Sequence, residues 1–191
     1  LHLRTRAGAI RAQLLFRSGE RYQGRLLAET ERNLRKLNYL REPRIRPTGW
    51  HDGVVDILVE THDVWTLQLG PSFGRSGGRN DVSLEFQDNN LLGFGKTLIA
   101  GVSHSVDRDS TYFEWRDPTV LGSRWADSVR RANNSDGWDS RLQIYRPFYA
   151  LDVHYGGGLT LEDRSALDTR YQLGAEYDHY RHAAHNFDIY A

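Results

Sequence analysis

From Trp65 to Tyr180, apolar side chains recur at every second position in runs of about ten residues, the length of a tilted membrane-crossing strand. Val82, Leu84 and Phe86 alternate with Ser83, Glu85 and Gln87. Asp88-Asn89-Asn90 breaks that run, Gly93 and Gly95 supply turn freedom, and the alternation resumes through Leu98, Ala100 and Val102. Successive side chains of a strand point to opposite faces, so each run has one apolar and one polar edge and the pair reads as a β-hairpin. Trp65, Leu67 and Leu69 begin an earlier run, closed by turns at Pro71-Ser72 and Ser76-Gly77-Gly78. Later strands are expected at 112–115, 122–132, 141–149, 153–161 and 171–180, with breaks at Asp117-Pro118 and 133–137. Tyr and Trp recur at the expected strand ends, as at Trp115, Trp125, Trp138, Tyr149 and Tyr155. An apolar edge facing lipid would make this a membrane barrel, whereas one facing a core would make it a soluble β-sandwich.

Composition narrows the surroundings. The 25 basic and 25 acidic side chains balance, so the chain as a whole is not marked as a nucleic-acid binder. Residues 1–63 hold 12 Lys/Arg against 8 Asp/Glu, and this mildly basic opening precedes a mildly acidic remainder. Cysteine is absent, which removes disulfides, thiolate chemistry and Cys-ligated metals. No apolar run approaches the ~18–20 residues of a transmembrane helix, so any membrane crossing is by strands of a barrel.

The first sixty-odd residues follow another period. Residues 10–16 read as a strand ended by Ser18-Gly19-Glu20. From Tyr22, Leu27, Leu34 and Leu37 fall at helical spacing, with Glu29 and Glu31 early and Arg35 and Lys36 late, the order a helix dipole favours. Pro43 and Pro47 are expected to stop that helix. A strand near 44–46, the turn signal Asp52-Gly53 and a further strand at 54–60 complete a small α+β module. Such a module is either a docking platform, whose sheet edge adds a partner's strand, or a structural spacer.

Motifs suggesting chemistry lack their context. Gly70-Pro71-Ser72-Phe73-Gly74 has the letters of a nucleophile elbow, but that device needs a strand-to-helix turn and no helical pattern follows. Gly95-Lys96-Thr97 ends like a phosphate-binding loop, with Asn90 where its first glycine belongs and no helix beyond. His179, His182 and His185 are read as loop histidines; in a strand the first and third would share a face without the second. Asp107, Asp109, Asp117, Asp136 and Asp139 are read as turn residues rather than a Ca²⁺ loop. The expectation is a non-enzymatic protein without cofactor, metal or nucleic acid.

The order of the motifs adds a resemblance. LLFRSGERY, ETERNLRKLNYL and DGVVDILVETHDVWTL, read in sequence, resemble the last POTRA domain running into the first strand of the bacterial surface-antigen outer-membrane barrel superfamily, the group of BamA, TamA and the two-partner secretion transporters. DNNLLGFGKTL looks like that family's link between its second and third strands, WRDPTVLGSR like its aromatic-x-Asp-Pro element, and NSDGWDSRLQIYRPFYALD like its later Asp-Gly turn and Arg-Pro-Phe strand. The family's Arg-Gly-Phe loop motif is missing from this chain. The resemblance implies a POTRA-like α+β domain at 1–63 in the periplasm and, at 64–191, the first half of an all-β antiparallel outer-membrane barrel. It implies help in inserting or translocating proteins across that membrane, with lipid, unfolded clients and periplasmic or lipoprotein factors as partners. The first barrel strand, 64–74 with Trp65, Leu67, Leu69 and Pro71, would form a lateral seam. Val82, Leu84 and Phe86 would face lipid and Ser83, Glu85 and Gln87 the lumen, while Asn90, Gly93 and Gly95 form a structural turn. A barrel that anchors or exports an upstream passenger enzyme is the other function expected of such a chain.

Overall fold

The computed structural model describes residues 3–76, 79–106 and 108–191; the turn expected at Gly77-Gly78 and the turn residue Asp107 lie outside them. Two short helices, α1 (Ala7–Arg11) and α2 (Gly24–Leu34), precede a two-stranded antiparallel sheet of β1 (Leu40–His51) and β2 (Val54–Asp63). Eight strands follow as an unbroken meander: β3 (Leu67–Ser76), β4 (Arg79–Asp88), β5 (Thr97–His104), β6 (Asp109–Asp117), β7 (Ala126–Asn134), β8 (Gly137–Arg146), β9 (Gly157–Gln172) and β10 (Ala175–Tyr190). Every neighbouring pair is antiparallel, and among the described residues β3 and β10 are the two free edges.

The expected strand at 10–16 does not form. Ile10 and Leu14 instead pack at helical spacing against the small core of Leu34, Tyr39 and Leu40. Backbone groups of this segment find partners outside any ladder: the Leu15 N–H donates to the Thr30 hydroxyl at 3.1 Å, and the Ala12 and Leu14 carbonyls accept the Arg124 guanidinium. Helix α2 ends at Leu34, well before either proline, and Leu37 lies beyond it while still packing on the core. Pro43 and Pro47 lie inside β1, each at a register shift, where a missing N–H costs the ladder least. Asp52 and Gly53 form the expected tight turn, both with positive φ.

Further boundaries differ from expectation. Pro71 and Ser72 lie within β3 and pair with Leu84 and Ser83; an edge strand tolerates proline. The segments at 122–125 and 153–156 belong to turns, and the expected strand at 171–180 is the tip of the 16-residue hairpin β9–β10. That tip is a two-residue turn, Leu173-Gly174, with φ of 50° and 82°. Leucine is an unusual residue in the left-handed region, so composition gives no turn signal there.

The N-terminal segment docks against the end of the large sheet that carries the longer turns, the base. At the first turn, the Arg6 N–H donates to the Gly93 carbonyl at 2.8 Å, and Asn90 Nδ2 donates to the Thr5 hydroxyl at 2.8 Å. At the last, Asn33 Nδ2 donates to the Tyr149 carbonyl at 2.7 Å, and the Leu151 N–H donates to the buried Glu29 carboxylate at 2.5 Å. Arg25 pairs with Asp152 at 2.8 Å; that hydrogen bond holds the exposed Asp152 carboxyl below its ordinary range. Tyr39 is the pivot. Burial first, and the Asp63 charge second, push its hydroxyl up from 10 to about 12. A proton bound more tightly in the folded chain gives stability that is full below pH 10 and is lost as pH rises toward 12. Base titration should therefore release the N-terminal segment between those values, read by hydrogen exchange of α2, and Tyr39→Phe should remove that step.

Candidate membrane-facing surface

The register decides what the alternation of the sequence means in space. Leu67, paired across β4 with Asp88, continues through Leu98, Trp115, Val129, Leu142 and Leu161 to Phe187 as one cross-strand row. The same bookkeeping places Leu69, Pro71, Phe73, Val82, Leu84, Phe86, Ala100, Val102, Phe113, Ile144, Leu159 and Ile189 on that face. Val82, Leu84 and Phe86 are 41%, 46% and 37% exposed, so their apolar surface is uncovered within the chain. The band is broad enough to stand apart from scattered surface leucines.

The band also crosses the strands obliquely. On β4 it is centred at Leu84, whose row runs through Val102, Thr111 and Asn133 to Trp138 on β8. On β8 the apolar pair Leu142 and Ile144 is centred five residues nearer the base than Trp138. Five residues over four strand steps, at ~3.3 Å rise and ~4.8 Å spacing, correspond to strands tilted by roughly 40° to a level band. Tilt of this size is what a barrel wall requires for its apolar girdle to stay level.

The opposite face is polar and internally satisfied. Tyr112 donates to Glu85 at 2.6 Å, Arg116 pairs with Glu114 at 2.6 Å, Arg130 reaches Glu114 and Asp139 at 3.7 and 3.8 Å, and Arg141 pairs with Glu162. Ser83, Glu85 and Gln87 all belong to this face. Gly101 is needed here because the Tyr112 ring lies across it, and a Cβ on Gly101 would meet that ring at 2.5 Å.

Two turns at the base are copies of one another, 29 residues apart. Leu91–Gly93 and Val120–Gly122 are each a 3-10 turn with leucine at φ 52° or 51° followed by glycine at φ 78° or 73°. In each, the preceding aspartate (Asp88 or Asp117) accepts the N–H two residues on, at 2.9 and 3.0 Å. Asn90 closes the first turn by accepting the Gly95 N–H at 2.7 Å. Gly93 and Gly95 also allow the N-terminal segment to approach: a Cβ would lie 2.3 Å from the Arg4 carbonyl oxygen and 2.7 Å from the Tyr39 hydroxyl. Lys96 pairs with the buried Asp117 at 2.7 Å and so ties the two turns together; strand β5 follows it. Arg124, in the second turn, stacks on Tyr149 at 4.8 Å, and burial lowers its proton affinity.

The remaining expected sites fall as follows. Leu67, Leu69 and Pro71 lie on the free edge strand β3, while Trp65 precedes it and caps the Leu67 carbonyl with its indole N–H. Ser72 is in mid-strand, opposite Ser83, with none of the strand-to-helix geometry of an elbow. The three histidines are not in a loop but on β10, paired separately: His179 with Glu176, His182 with Asp168 and His185 with Asp163. Among the described residues no three His, Asp or Glu side chains converge on a metal-sized site. The sequence pattern did not single out Arg124, Arg131 or the Gly101–Tyr112 pair. The repeated Asp-x-x-aliphatic-Leu-Gly was legible as a signal for the twin turns.

With this geometry established, the comparison with solved structures is specific. The chain is similar to the crystal structure of BamA from Haemophilus ducreyi lacking POTRA domains 1–3, with a TM-score of 0.62, 13% identity and 97% of this chain covered. Over that span it has a BamA-like barrel fold. The chain spans 40% of the length of that structure. No family model matches the sequence, and no curated protein matches it.

The tyrosine-over-glycine packing carries a direct test. Gly101→Ala should destabilise the full-length gene product by about 1–3 kcal/mol, the usual cost of overpacking. Most of that loss should vanish in a Tyr112→Ala background, measured as a double-mutant cycle in urea.

Proposed function

We propose that this chain is part of a bacterial outer-membrane barrel that assists insertion or translocation of proteins across that membrane. In this proposal residues 1–63 are a POTRA-like domain in the periplasm and residues 64–191 form the first half of the barrel wall. The observation that supports it is the oblique apolar band across an antiparallel eight-stranded sheet within a BamA-like fold. Backbone groups cannot stay unpaired in hydrocarbon, so a free strand edge at a membrane-facing wall is a template for another strand. Pro71 lacks an N–H and weakens any permanent ladder on that strand. The partners are then lipid on the apolar face and unfolded client strands at β3, with periplasmic or lipoprotein factors reaching the N-terminal domain. No catalytic step is assigned to the chain.

Two measurements on the full-length gene product test this. Leu84→Arg should cost about 2–4 kcal/mol when the protein is unfolded from lipid vesicles, the penalty of a mid-bilayer arginine, whereas Ser83→Arg should cost little. Residues 1–191 hold no cysteine, so a single cysteine placed among them is the only thiol of this span. Leu69→Cys should form disulfides with a cysteine-bearing client strand in cells, and Ser103→Cys, inside the sheet on β5, should not. A membrane-inserted protein with no client cross-link at Leu69→Cys would favour the barrel as anchor or exporter of an upstream passenger enzyme.

A further inference from the structure

The apolar face carries a groove of about 580 Å³ across β6 to β10, well away from the β3 edge. Its lower wall is the apolar row of Val129, Leu142, Leu161 and Phe187. Its upper wall is the next row toward the hairpin tips, where Phe113 on β6 gives way to Arg131, Ser140, Asp163 and His185 on β7 to β10. An apolar row directly beneath a charged one is the layering of a lipid molecule, acyl chain below and headgroup above.

The charges on that upper row are unequal in their freedom. Asp163 lies 2.7 Å from the His185 ring and two strands away from Arg131. The Arg131 guanidinium lies over Trp138, with its carbon 4.2 Å from the ring centre. Stacking uses the face of the guanidinium and leaves its in-plane N–H donors for a ligand. Among the described residues no carboxylate or other acceptor takes them. A fork of donors fixed by an aromatic ring at the top of an apolar wall matches a phosphate ester in charge and geometry. Trp138, one row nearer the hairpin tips, contributes an amphipathic ring, as residues at a membrane interface do.

We propose that this groove holds a lipid with a net anionic phosphate headgroup, its phosphate on Arg131 and one acyl chain along Val129, Leu142, Leu161 and Phe187. The proposal rests on the membrane reading above, since the groove continues the apolar band. It gives the far wall of the sheet a defined lipid contact.

The test uses the full-length gene product extracted in detergent, with native mass spectrometry against phosphatidylglycerol and phosphatidylcholine of identical acyl chains. Phosphatidylglycerol should be retained on the order of tenfold more tightly than phosphatidylcholine. Arg131→Gln should abolish that preference, Arg131→Lys should keep part of it, and Arg170→Gln, on the projecting hairpin, should leave it intact. Equal retention of the two lipids, or a preference that survives Arg131→Gln, would overturn the site. Heat-modifiable migration and extraction from membranes report insertion separately. A protein that remains monomeric in water without detergent would overturn the membrane reading and the site together.

Discussion

The whole of the large sheet depends on one constraint, an antiparallel ladder that stays in step through eight strands. A slip of one residue in any hairpin would carry every later side chain to the opposite face. Leu84, Val102, Phe113, Leu142, Leu161 and Phe187 share a face only because each hairpin returns its strand in register. The polar network of Glu85, Tyr112, Arg130 and Asp139 is the same constraint seen from the other side. Its groups satisfy one another across strands, which is the only economical way to line a wall with buried or half-buried charge.

The base of the sheet is where register is protected. Two copies of a strained turn, each with leucine and glycine in the left-handed region, connect β4 to β5 and β6 to β7. Non-glycine residues held there cost about 1–3 kcal/mol each, so the surroundings must determine the conformation. Here the surroundings are Asp88 and Asp117 capping the turns, the Lys96–Asp117 pair between them, and the N-terminal segment laid against Gly93 and Gly95. Arg124 extends the contact by binding the Ala12 and Leu14 carbonyls, which removes those backbone groups from strand formation. The N-terminal helices and the sheet are thus coupled through side chains bound to main-chain groups and through the Arg6–Gly93 backbone hydrogen bond.

In the proposed function, one edge and one groove of the sheet have different work. On that reading, the β3 edge offers main-chain hydrogen bonds that do not depend on a partner's sequence, which is why unrelated client strands are proposed there. The groove at Arg131 offers a shaped amphipathic wall and suits a single class of small molecule.

Local sequence determined the pieces. Period-two alternation marked β4, β5 and most of the later strands, Asp52-Gly53 marked its hairpin, and Leu27 and Leu34 marked α2, because these signals are local and their period equals that of the element. Tertiary structure decided the rest. Ile10 to Phe16 had the composition of a strand, yet Arg124, more than a hundred residues away, takes its carbonyls. The Leu173-Gly174 tip and the prolines of β1 are set by ladder geometry rather than by residue preference. Above all, the tilt of the apolar band and the position of Arg131 at its upper rim come from summing the registers of separate hairpins, and no single stretch of sequence contains that sum.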